Sequence, residues 1–179
     1  MTKSILAVLF SAFAFLASVS ASGAARASGL SAADIEPLIG DWSTGPENGA
    51  PVFVQSYHWD AKKSYVWVKT SILGGDGVEE RVHFEGIAIW NARDGWFDYL
   101  FAVEPGSQTQ ERGTIARSAD GTLMRTVQFT GGSGATAEFR QVFEPLADGR
   151  IRTRLQRKTG AGWEPTFPGS DALVMVRRR

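Results

Sequence analysis

The chain has 179 residues, with 19 basic and 19 acidic side chains and no cysteine. It therefore has no disulfide framework, no thiolate nucleophile or metal ligand, and no cysteine to carry a lipid. The balanced charge argues against a general nucleic-acid binder, and the length suits one domain with its own core.

At the N-terminus, Lys3 precedes an almost unbroken apolar run from Ile5 to Val19, the layout of a secretory signal peptide. The run is short for the roughly 20 apolar residues that span a bilayer. Val19-Ser20-Ala21 and Ala25-Arg26-Ala27 both offer small residues for cleavage, the second as a strict A-x-A match. The expectation is removal of residues 1–27, leaving a single domain over 28–179 that is released to the periplasm or the exterior.

After Ser28, Ser31 stands before Ala32-Ala33-Asp34-Ile35-Glu36 as the N-cap and acidic first turn of a short helix, which Pro37 ends. From Leu38 onward the chain is a succession of short runs rich in Val, Ile, Phe, Tyr, Trp and Thr, divided by turn residues. Four dividers are Asp-Gly pairs, at Asp76-Gly77, Asp94-Gly95, Asp120-Gly121 and Asp148-Gly149, whose glycine accepts the positive φ of tight hairpins. About ten strands are expected, near residues 39–44, 51–59, 63–73, 78–91, 95–104, 109–117, 121–130, 135–144, 149–159 and 171–178. Such short connections permit antiparallel neighbours and no parallel crossover. The fold class is thus all-β, an up-and-down antiparallel barrel of eight to ten strands.

A short helix leading into Leu38-Ile39-Gly40-Asp41-Trp42, with a meander behind it, resembles the calycins, the superfamily of lipocalins and fatty-acid-binding proteins. The matching signature is Gly40-x-Trp42. The resemblance implies that Trp42 sits on the first strand at the closed end of the barrel, and that a basic residue on the last strand packs over it. Arg177 is the candidate, since guanidinium stacks well on indole. In layout the chain looks most like small exported bacterial lipocalin-like domains of unknown function.

Several side chains are candidates for a site. Tyr65 and Trp67 share one face of a strand, and Phe97, Tyr99 and Phe101 share one face of another. These aromatics either line a cavity or pack the barrel. Arg125 lies in phase with Leu123, Val127 and Phe129. Pointing outward, its stem would cover apolar neighbours. Pointing inward without an internal carboxylate, it would call for an anionic ligand or ordered water, and the resemblance to fatty-acid binders implies pairing with a ligand carboxylate. His83 and Glu85 project to the same side of a strand, but H-x-E supplies at most two metal ligands, so no metal site is expected. Arg150, Arg152, Arg154 and Lys158 line one face of a late strand, either as a solvated outer wall or as a contact for an anionic surface. No nucleotide, hydrolase or metalloprotease motif is present, and no cofactor is implied.

Two function classes follow. One is binding of a small apolar or amphipathic molecule in the barrel, with Tyr65, Trp67, His83, Glu85, Tyr99 and Arg125 as candidate ligand contacts. The other is calycin-type catalysis, of the isomerase or cyclase kind the resemblance implies, with polar groups in the same cavity. A structural or partner-binding barrel with a filled core is the remaining possibility.

Overall fold

The computed structural model describes residues 30–45, 52–73, 80–103 and 109–178. The signal-peptide expectation for residues 1–27 and the turn expected at Asp76-Gly77 lie outside them. A 3-10 helix, Ala32–Leu38, is followed by β1 (Gly40–Thr44), β2 (Phe53–Trp59), β3 (Tyr65–Leu73), β4 (Glu80–Asn91) and β5 (Trp96–Val103). Then come β6 (Thr109–Arg117), β7 (Leu123–Thr130), β8 (Thr136–Pro145), β9 (Ile151–Thr159), β10 (Gly162–Pro165) and β11 (Leu173–Arg177).

Each strand from β1 to β9 pairs antiparallel with the next, and β11 inserts between β9 and β1 to close the ring. Ten strands therefore make a closed antiparallel barrel, and the meander expected from the short turns is the topology found. Three of the Asp-Gly turns fall between described strands, with Gly95, Gly121 and Gly149 all at positive φ. The unexpected element is β10. It folds back on the Gln156–Thr159 half of β9, which β11 leaves free because its pairing stops at Thr153. Gly160-Ala161-Gly162 is thus the turn of a hairpin between β9 and β10.

The barrel has one plugged end. Ser31 donates from both its backbone N–H (2.6 Å) and its hydroxyl (2.8 Å) to the Asp34 carboxylate, which fixes the entry to the helix. Arg117 at the end of β6 reaches the same carboxylate at 2.5 Å. Ile39 N–H bonds Glu36 carbonyl at 3.0 Å and ends the turn one residue past Leu38. Leu30, Ile35 and Leu38 belong to the same buried cluster as Trp42, Phe97, Ile115, Leu123, Phe143, Ile151 and Met175. Each such side chain contributes about 1.5–3 kcal/mol of burial, so the helix adds its own apolar residues to the core of the domain.

Gly40 and Trp42 have separate structural reasons. Trp42 is 2 % exposed, its Nε1–H donates to the Leu38 carbonyl at 2.7 Å, and the Arg177 guanidinium lies 4.7 Å from its ring centroid. Arg177 is also the register partner of Trp42 across β11 and β1. At Gly40, φ is +126°, and a Cβ would come within 2.6 Å of Arg177 Nη1. The glycine thus leaves the space through which the guanidinium reaches the indole.

Candidate functional site

Inward and outward faces follow from strand alternation. On β5, Phe97, Tyr99, Phe101 and Val103 are buried while Asp98, Leu100 and Ala102 are exposed. On β7, Leu123 and Val127 are buried and Arg125 shares their phase. Toward the end away from the helix the interior is not filled. A cavity of about 350 Å³ remains, within the lower range of small-molecule sites. Its wall is predominantly apolar, with Phe53, Ile72, Phe84, Val127, Phe129 and Leu155 among its side chains. Phe53 and Phe167 stack with centroids 5.7 Å apart, and Phe129 meets Phe139 edge to face at 6.3 Å.

Polar groups converge at one side of this cavity. Arg125 Nη1 donates to Tyr99 Oη at 2.8 Å, and its Cζ lies 5.1 Å from the Tyr99 ring centroid. The Tyr99 hydroxyl in turn hydrogen-bonds the carboxylate of Glu111, which lies on β6 and is only 6 % exposed. The order Arg125, Tyr99, Glu111 is a short relay from cation to anion. Tyr99 is held in place by Phe101, stacked on it at 3.6 Å and 9°. Gly113 faces Tyr99 across the β5–β6 pairing. A Cβ there would meet the β7 backbone at 1.9 Å, so only glycine permits this close approach of strands.

Electrostatics match the geometry. Burial pushes the Glu111 carboxyl up, against the lowering pull of the Arg125 charge and the Tyr99 hydrogen bond. Burial raises Tyr99 well above the usual phenol range and raises Tyr57 as well, so both are neutral at neutral pH. Burial works against the charge on Arg125, but Tyr99, Tyr57 and Glu111 outweigh it, and the guanidinium stays protonated.

A second polar group, beside the first, is satisfied internally. Gln55 and Gln141 exchange amide hydrogen bonds at 3.2 and 3.0 Å. Gln141 also donates to Thr153 Oγ1 at 3.0 Å, and Thr153 donates to the Val142 carbonyl at 3.0 Å. By contrast Tyr57 Oη, Thr70 Oγ1 and Arg125 Nε are buried without a hydrogen-bond partner among the described residues.

The expected site residues divide sharply. Tyr99 and Arg125 meet inside the barrel. Tyr65 and Trp67 lie on the outer wall, edge to face at 5.9 Å, and Trp67 is 46 % exposed. Val66, Val68 and Thr70 are the buried residues of that strand, so the two aromatics do not line the cavity. Glu85 is also exposed, in a shallow outer groove with His58 and Lys69. The β3–β4 register passes from Val82–Ser71 to Phe84–Thr70 and skips His83, which is the extra residue of a bulge. The His83 side chain lies outside the described residues. Among the described residues no cluster of three metal-ligating side chains occurs. Glu111, Gln55 and Gln141, which complete the polar interior, were not among the expected residues. The one cue was Glu111 alternating with Gly113 and Ile115, a carboxylate in the phase of an apolar residue.

The basic row on β9 faces outward and is largely neutralised. Arg152 pairs with Glu144 at 3.2 Å, Lys158 with Glu138 at 2.5 Å, and Arg150 with Asp148 at 2.7 Å. Arg140 stacks on Trp163 of β10 at 4.6 Å and donates to Gln156 at 2.7 Å. This pins the β10 hairpin to the wall.

In comparisons with known proteins, no family model, no curated protein and no solved structure matches this chain.

Proposed function

We propose that the protein is an exported, calycin-like carrier that holds one small amphipathic molecule in its barrel. The observation that supports this most is the pairing of a predominantly apolar cavity of about 350 Å³ with the Arg125, Tyr99 and Glu111 group at its side. One plugged and one hollow end is the layout of a container, and the plug supplies stability without using the hollow. The apolar body of the ligand packs against Phe84, Phe129 and Leu155, and its polar end meets Arg125 and Thr70. The Gly40, Trp42 and Arg177 arrangement supports the calycin reading, and the Ile5 to Val19 run supports export.

Native mass spectrometry of protein recovered from its own host tests both halves. The expected result is a mature chain beginning near Ser22 or Ser28, with a co-purifying small molecule that organic extraction releases. An intact Met1 in a membrane fraction would overturn export, and a ligand-free chain that takes up no amphiphile would overturn carriage.

The relay of Arg125, Tyr99 and Glu111 favours a second reading, catalysis. Three ionisable groups converge, and Glu111 is a buried carboxyl whose proton affinity is raised, a property of general acids and bases. Turnover of a bound ligand that Glu111→Gln abolishes without loss of binding would establish this reading over simple carriage.

A further inference from the structure

Arg125 is the obvious anchor for a ligand carboxylate, but its counter-charge is already present. Glu111 is buried on the neighbouring strand and joined to Arg125 through the Tyr99 hydroxyl. The other lining guanidinium, Arg140, is engaged with Gln156 and Trp163, so a ligand carboxylate entering beside Arg125 would join Glu111 in a region of low dielectric, where like charges in one site cannot both ionise cheaply. The remaining polar capacity is of another kind. The Gln55 and Gln141 amides are engaged with each other and with Thr153. Besides Ser71 Oγ, which is not part of the cavity lining, the buried groups without a partner among the described residues are Thr70 Oγ1, which lines the cavity, Arg125 Nε, and Tyr57 Oη close to Arg125. An Nε–H can only donate, and the two hydroxyls can each donate.

We propose that the cavity selects ligands whose polar end is an uncharged hydrogen-bond acceptor, such as an ester, ketone, ether or alcohol oxygen, and discriminates against carboxylates through Glu111. This rests on the carrier reading and specifies the ligand class of that same site. Glu111 is the specificity-determining residue. It keeps the guanidinium in place as a donor while cancelling the positive charge that would attract an anion. The acceptor oxygen meets donors at no electrostatic cost, and its chain occupies the apolar wall. Replacing Glu111 by glutamine keeps the shape and a hydrogen-bonding partner for Tyr99 but leaves Arg125 as an unbalanced cation.

Calorimetric titrations at pH 8 with methyl decanoate, 1-decanol and decanoate, on the full domain and on Glu111→Gln, test this. Circular dichroism confirms that the variant is folded. The wild type should bind the ester and the alcohol about tenfold or more tighter than decanoate, and in Glu111→Gln the decanoate-to-ester affinity ratio should rise by about tenfold or more, the value of one charge-assisted hydrogen bond. Decanoate bound by the wild type as tightly as the ester, or a ratio that Glu111→Gln leaves unmoved, would overturn the selectivity while leaving carriage standing. If none of the three binds the wild type, carriage itself falls and the selectivity with it. Should Glu111→Gln not fold, the wild-type order of affinities still decides.

Discussion

Replacing Arg125 by methionine keeps most of the stem and deletes the charge. If Arg125 were a lone cation inside the barrel, the apolar isostere would leave stability unchanged or improve it. The structure predicts the opposite, because the substitution strands Glu111, which is 6 % exposed, and removes the donor that bonds Tyr99 at 2.8 Å. Leaving one buried charge uncompensated costs about 3–5 kcal/mol at neutral pH. Deleting both, as Arg125→Met with Glu111→Gln, should restore most of that loss, since neither charge is then left alone. The pH dependence carries a definite sign. Without Arg125 the folded-state affinity of Glu111 for a proton rises further above its unfolded value. Between the two pKa values the folded state then binds more protons, and stability falls as pH rises. Urea unfolding of Arg125→Met, followed by circular dichroism, should therefore show stability recovering as pH is lowered from 8 toward 5, more steeply than in the wild type. Wild-type stability at pH 8, or a pH profile parallel to the wild type, would refute the charge balance that Arg125 and Glu111 hold through Tyr99.

At the plugged end, Trp42→Ala should lower stability by about 3–5 kcal/mol for a truncated core aromatic, with a further contribution of about 1 kcal/mol from the lost Nε1 bond to Leu38. Denaturant titration with an unchanged slope checks it, and wild-type stability would remove the basis for placing Trp42 at the closed end. Asp34 is held down to about 2, chiefly by the Arg117 hydrogen bond, so it favours the folded state above the ordinary carboxylate range and loses that effect as pH falls from about 4 toward 2. Asp34→Asn should be less stable at pH 7 and show a shallower acid limb, which a pH series of thermal melts would reveal.

The parts of this structure legible in the sequence are those set by local chemistry. Asp-Gly pairs at Asp94, Asp120 and Asp148 mark hairpins because their glycines need positive φ. Arg177 over Trp42 came instead from what the resemblance carried by Gly40-x-Trp42 implies, with guanidinium stacking on indole as its physical reason. The face of Arg125 was legible in part, since Leu123, Val127 and Phe129 share its phase. What alternation does not carry is which of two apolar faces points inward. In Tyr65-Val66-Trp67-Val68 both faces are apolar, and the barrel buries the slimmer valines while Tyr65 and Trp67 remain outside. Nor does it show charge balance across strands. Glu111 is linked to Arg125 through Tyr99 of a third strand, and nothing near Glu111 in sequence announces that contact. At His83 a bulge interrupts the period-2 pattern, so alternation does not assign that position to a face.

The central claim is that the hollow end of the barrel takes up one amphiphile. The most direct measurement is a titration of the wild type and a cavity-filling variant, Leu155→Trp, with 1-decanol or a solvatochromic apolar dye. Leu155 lines the cavity and lies outside the buried cluster at the plugged end, so the larger ring occupies the hollow while the core is untouched. The account predicts saturable binding of one molecule per wild-type chain, reduced by about tenfold or more in a folded Leu155→Trp, because a filled pocket forfeits the apolar contact area that holds the ligand. Absence of saturable binding to the wild type, or binding that survives the filled cavity undiminished, would contradict it.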